Sequence, residues 1–174
     1  MQNNFESIAG CWELVGSTTI NSEIAFVDDE PDPDGIADWL NGVGDELEES
    51  LKSTSGMKLE VAPDGRFSEH LTGQPSVTWF DVEGVLCNSV VPFNGALRRN
   101  DEGIYLQPDD IPSWSEHLAA NYGNAILRYD DGDTKISDFL RMKDGRLLRT
   151  VNVVTDELYT DRVLIAYARC KEER

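Results

Sequence analysis

Two histidines, His70 and His117, three cysteines and an acidic run hold most of the side chains through which this chain could do chemistry. A hydrolytic site needs a nucleophile, an imidazole and an acid brought together, and a metal needs several donors converging. His70 falls in a strand-like stretch and His117 in a segment that follows Pro112, and their spacing gives no reason for them to meet. No metal, cofactor or catalytic residue is assigned from this pattern. An enzyme built here would use Tyr167, His70 or Asp138 as acid or base, and turnover would require one of them poised near neutral pH. The run Glu30-x-Asp32-x-Asp34-Gly35 sets carboxylates at alternate positions before a glycine, as a calcium loop does. Its closing position is Asn41 instead of a bidentate Glu, and the intervening residues are Pro31 and Pro33.

Cys11, Cys87 and Cys170 are far apart, odd in number and without metal-like spacing, so buried reduced thiols are expected. Cys11 and Cys170 fall in the first and last predicted strands, which would make them neighbours in a closed barrel. The formal net charge is -18, and residues 1–51 contain 13 acids and no Lys, Arg or His. Such a field repels phosphate backbones and anionic headgroups, which argues against nucleic acid and against electrostatic membrane binding. No apolar run is long enough to span a bilayer, and the first residues lack the basic start and apolar stretch of an export signal. A cytoplasmic protein is expected.

The elements that must position these groups are mostly strands. Residues 8–20 carry Trp12 and Val15 among small and β-branched residues and predict the first strand. Residues 28–35 hold two prolines among repelling carboxylates and predict a loop. Ile36, Trp39, Leu40, Val43, Leu47 and Leu51 then recur at three- and four-residue steps. That period predicts two short helices, broken at Gly42-Val43-Gly44, with an apolar underside and an acidic outer face. Hairpins follow over residues 57–61 and 66–72, 77–85 and 86–93, and 96–99 and 104–107. Residues 112–122 read as an amphipathic helix or an irregular loop, with Trp114, Leu118 and Tyr122 in helical spacing. Four last strands, over residues 125–129, 134–142, 146–154 and 158–170, form an antiparallel meander.

Gly10-Cys11-Trp12-Glu13-Leu14-Val15, Trp39-Leu40-Asn41-Gly42-Val43-Gly44 and the late hairpin over residues 129–149, with its Lys143-Asp144-Gly145-Arg146-Leu147 turn, resemble three patches of the intracellular fatty acid-binding proteins. That family is a branch of the lipocalin-like calycin barrels. The resemblance implies one domain over residues 1–174, mainly β, an antiparallel up-and-down barrel of eight to ten strands. It also implies a helix-turn-helix lid after strand 1, a short helix near residues 112–122, and a cavity holding a lipid-like molecule. In the family an inward Arg before the late Asp-Gly turn and an Arg-x-Tyr in the last strand clamp the ligand carboxylate. Here the first position is Leu140 with Arg141 beside it, and the last strand offers Arg162-Val163-Leu164 and Tyr167-Ala168-Arg169. Calycin barrels also stack a last-strand Arg on the first-strand Trp, which implies Arg162 over Trp12 as the closure.

On that alignment Arg162 points inward, where a guanidinium needs a carboxylate, a phosphate, a polar ligand or an internal partner such as Asp138. Arg149 is a second cation for the cavity wall, although the many surface carboxylates favour an exposed ion pair for it. Trp79 adjoins Phe80 in a strand, so one of the two faces in, and Trp39 lies on the stripe beneath the lid. The candidate ligand contacts are Arg162, Arg149, Arg141, Trp79, Tyr167 and Trp39. The leading expectation is a barrel that binds a small hydrophobic or amphipathic ligand, anionic if the clamp operates, without changing it chemically. The alternatives are a calycin-fold enzyme acting on a small apolar substrate, and an acidic interaction module whose barrel is filled. Oligomeric state is not legible.

Overall fold

Tight turns and alternating side chains drive most of the chain into antiparallel hairpins. Asp144 and Gly145, with φ of 53° and 78°, form a two-residue connection of the kind whose twist matches its flanking strands. The computed structural model describes residues 4–23, 26–27, 30–31, 33–43, 47–101, 103–110 and 126–171. The strands are β1 (Gly10–Glu23), β2 (Phe26–Val27), β3 (Glu30–Pro31), β4 (Lys52–Ser53), β5 (Met57–Val61), β6 (Arg66–Leu71) and β7 (Trp79–Phe80). They continue as β8 (Leu86–Cys87), β9 (Asn94–Arg99), β10 (Ile104–Pro108), β11 (Leu127–Asp130), β12 (Thr134–Lys143), β13 (Arg146–Thr155) and β14 (Tyr159–Arg169). Among the described residues one helix, α1, spans Pro33–Leu40, and a single 3-10 turn covers Leu47–Ser50.

Eight of these strands close a barrel in chain order, β1, β5, β6, β9, β10, β12, β13 and β14, each antiparallel to the next. Closure is made by β14 against β1, from Trp12 opposite Arg169 to Glu23 opposite Tyr159. β12 is long enough to take two neighbours on one edge. β10 pairs with its later half through Leu140 and Phe139, and β11 with its earlier half through Ser137 and Ile136. Gly95 lets β9 and β10 approach, because a Cβ there would stand 2.1 Å from the Gln107 carbonyl oxygen.

Inward side chains from all around the wall form one core, including Trp12, Leu59, Phe67, Leu106, Leu140, Val151, Ile165 and Tyr167. A second apolar layer lies outside the wall. Ile36, Leu40 and Trp39 of α1 pack on Val154, Leu127, Tyr105 and Phe139, and Leu51 packs with Leu148, Leu164 and Ala166. From Leu147 to Val154 every residue of β13 is therefore buried.

These placements correct three expectations. The helical pair does not roof the barrel: α1 lies against the outer wall, and the second helix is only the 3-10 turn. The apolar stripe of α1 is complementary to the outward Val154 and Phe139, which would otherwise face water, and this selects its position. The barrel's eight strands fall within the eight to ten expected. Residues 77–93 keep only the two-residue strands β7 and β8, joined through Asp81, whose side chain accepts from the Glu83 and Val85 backbone amides. Cys11 and Cys170 form a disulfide, with 5.4 Å between their Cα atoms, in place of two reduced thiols. Cys87 is free and half-buried. The expected helix near residues 112–122, with His117, lies outside the described residues. No helix among the described residues is long and apolar enough to cross a membrane.

Candidate functional site

The strongest concentration of chemistry lies inside the barrel. Asp138 on β12 and Arg149 on β13 both point inward, and the Arg149 guanidinium embraces the carboxylate with Nε to Oδ1 at 2.9 Å and Nη2 to Oδ2 at 2.7 Å. Its remaining arm, Nη1, donates to Glu69 on β6, across the barrel. Arg128 on β11 donates from Nη1 to Asp138 at 2.8 Å, and from Nη2 to the Phe80 and Asp81 carbonyls at 3.3 and 2.7 Å. Glu69 accepts in addition from the Phe93 amide at 2.8 Å. All four charged groups are buried, and their charges cancel.

Aromatic faces complete the enclosure. Arg149 sits 5.2 Å from the Trp79 ring centre, Arg128 sits 5.0 Å from that of Phe93, and the two rings are 5.3 Å apart. Between Trp79, Phe80, Arg128, Arg149 and Ile165 remains a cavity of about 10 Å^3, room for about one water molecule. Among the described residues the Trp79 Nε1 and Arg128 Nε donors have no hydrogen-bond partner. The large hollows of about 820, 770 and 520 Å^3 are open surface grooves.

The electrostatics follow from burial and neighbours. Burial pushes the Asp138 carboxyl up, but Arg149 and Arg128 outweigh it and hold the group below the usual carboxylate range. Glu69 meets one guanidinium, and there burial prevails and raises it. Burial lowers Arg128 below the ordinary guanidinium value, while Asp138 and Glu69 overcome burial and raise Arg149. Burial also raises the Tyr167 hydroxyl, which stands beside Arg149. Asp138 locked as a paired anion and Tyr167 locked as a phenol are poor proton carriers near neutral pH.

The two arginines have exchanged the positions expected of them. Arg149 is no surface cation but the centre of the interior. Arg162 lies on the outer face of β14, because Val163, Ile165 and Tyr167 take the inward parity. Its Nε donates to Asn152 Oδ1 at 2.5 Å, and its Nη1 and Nη2 donate to the Val43 and Trp39 carbonyls at 3.1 and 2.8 Å. It thus caps the C-terminal end of α1, where unsatisfied carbonyls gather.

Trp39 covers Arg162 at 4.0 Å and donates from Nε1 to the Asp161 carbonyl at 3.1 Å. The closure stack on Trp12 is made by Arg169, at 4.2 Å, and not by Arg162. The reason is register: Trp12 faces Arg169 across the β1 and β14 ladder, whereas Arg162 faces Ile20. Arg141 is also on the outer face, where it meets Glu48 of the 3-10 turn at 2.5 Å. Of the six candidate contacts, Arg149, Trp79 and Tyr167 converge inside the barrel, Arg162 and Trp39 meet on its outer face, and Arg141 stands apart from both groups.

His70 is exposed. Its Nε2 lies 3.0 Å from Ser68 Oγ and 3.5 Å from Glu60, and one nitrogen serving both prevents a serine relay, which needs the acid on the other. Among the described residues no three His, Cys, Asp or Glu side chains are grouped to hold a metal. Asp32 and the Glu30 side chain of the acidic calcium-like run lie outside the described residues.

Sequence reasoning missed Glu69 and Arg128. Glu69 was detectable as a charge sharing the inward parity of Phe67 in a clean hairpin strand. Arg128 was not, because the ladder to β12 is irregular between Leu127 and Tyr129. Fold and site together define a closed up-and-down barrel with a charge-neutral cluster of two guanidinium and two carboxylate groups inside it. No protein-family model matches this chain, and no curated protein matches it either.

Proposed function

We propose that the chain is a calycin-like barrel that works through its surface, as an acidic interaction module for a basic partner, and does not carry a ligand inside. The single observation behind this reading is that Asp138 and Glu69 already occupy the Arg149 guanidinium, beside which lies a cavity of about 10 Å^3. A ligand carboxylate would have to displace one of them, and an unpaired buried charge costs several kcal/mol. Calycin kinship is supported by the closed meander and by Arg169 stacked on Trp12. A net charge of -18 attracts cationic partners and steers their approach. The disulfide supports an oxidising compartment in place of the cytoplasm.

Native mass spectrometry before and after lipid extraction tests the reading. The bare chain mass is expected both times, together with capture of oligolysine that fades as salt is raised. A one-to-one adduct removed by extraction overturns it in favour of a carrier. That second reading draws on the unpartnered Trp79 Nε1 and on the two-residue strand that brings Trp79 into the barrel. Under it, the lipid-extracted wild type takes up an apolar fluorescent dye, which the interaction-module reading says it refuses.

A further inference from the structure

We infer that the mouth of the barrel is a binding site for a small hydroxylated monocarboxylate, a sugar acid in chemical class. This goes beyond the interaction-module reading and does not rest on it, because the site is an open groove apart from the interior charge cluster.

Ladder register places the site. Ser17 on β1 stands opposite Lys52 on β4 and, along its other edge, opposite Ile165 on β14. Residues directly opposite in a ladder share a face. Ile165 points into the barrel, so Ser17 and Lys52 take the inward side, and Thr19, opposite Val163, follows the same parity. All three line a groove of about 820 Å^3, whose other side is made by residues 75–78 and 86–89. Thr78 borders both this groove and the small cavity beside Arg149, with Trp79 and Phe80 on the cavity side. The groove is therefore the vestibule of the barrel.

The lining chooses the occupant. Its one charged residue is Lys52, and among the described residues no carboxylate lines it. Although the chain holds 33 acids, none among the described residues pairs with Lys52. Ser17 is 6% exposed, and its Oγ has no hydrogen-bond partner among the described residues. An unanswered ammonium and an unsatisfied hydroxyl at opposing positions suit one carboxylate, which accepts from both. A phosphate dianion would bring two charges to a single cation, and the net charge of -18 repels long polyanions. Hydroxyl and amide side chains supply most of the remaining lining, among them Thr19, Ser53, Thr78 and Asn88. An apolar tail would strip these groups of water without replacing its hydrogen bonds, whereas ligand hydroxyls replace them. Val77 and Leu86 on the far side suit the C–H face of a sugar ring.

The test titrates the intact chain with glucuronate and follows its amide resonances. The comparators are glucose, which lacks the carboxylate, hexanoate, which lacks the hydroxyls, and glycerophosphate, which carries a second charge. Glucuronate is expected to shift residues 17–19, 52–53 and 76–78, and to bind about tenfold more tightly than each comparator. Lys52→Gln, at an exposed position, should weaken glucuronate binding about tenfold and leave the urea midpoint unchanged, and Ser17→Ala should weaken it by a smaller factor. Absence of saturable shifts, shifts on another face, equal binding of any comparator, or undiminished binding by Lys52→Gln overturns the inference. Capture of oligolysine reports on the interaction-module reading alone, so the two can fail separately.

Discussion

Arg149 and Arg162 lie on adjacent strands, are equally buried and each face an indole ring, yet they hold different things together. Arg149 looks inward and is neutralised by two carboxylates from opposite walls. Arg162 looks outward, and its described partners are an amide oxygen and two carbonyls at the end of α1. A buried cation answered by remote carboxylates ties the barrel across its width. One answered by the negative end of a helix fastens an attachment to its surface. The same residue type can thus serve global closure or local docking, according to the parity of its strand position.

The largest expected effect is at the interior centre. Arg149→Ala leaves Asp138 and Glu69 without their shared cation and should cost about 3–5 kcal/mol in urea denaturation, with the whole barrel losing stability. Removing the disulfide with Cys11→Ser and Cys170→Ser should cost roughly 2–4 kcal/mol. It lies outside both arginine networks, so its effect should add to that of Arg149→Ala without coupling. Arg162→Ala should cost roughly 2–3 kcal/mol and red-shift Trp39 fluorescence while the barrel stays closed. A global loss as large as that of Arg149→Ala would erase the distinction between the two sites.

Acid titration sharpens the comparison within the interior pair. Asp138, lowered in the folded state, gives stability that is present above its unfolded value and lost as pH falls through its folded one. Glu69, raised in the folded state, works in the opposite sense. Its contribution is complete below the unfolded glutamate value of about 4.3 and is lost as pH climbs to the folded value. Glu69→Gln should therefore flatten the decline across that window in denaturation series run at stepped pH. The smallest effect belongs to the exposed pair of Arg66 and Asp109. Arg66→Ala should leave the urea midpoint unchanged.

The closed meander was legible because its turns and alternation agree: Asp144-Gly145 between β12 and β13, and Pro63-Asp64-Gly65 between β5 and β6. The neighbourhood of Cys11 and Cys170 followed from closure, but a bond between them did not, since spacing carries no redox information. Which side of the late strands faces in was not legible. Leu147 to Val154 is buried on both faces, so Leu148, Thr150, Asn152 and Val154 look as much like core as Leu147, Val151 and Val153 do. The register shift between Leu14 and Gly16 further spoils parity along β1. The stripe from Ile36 to Leu40 announced an apolar face without saying what it would cover, because the outer wall becomes apolar only once β12 to β14 are assembled.

β13 meets side chains on both faces and strands on both edges, and little of it touches water. Its amide protons should be the last in the molecule to exchange with deuterium, opening only when everything opens. The ends of β1 beyond Ser17 should exchange early.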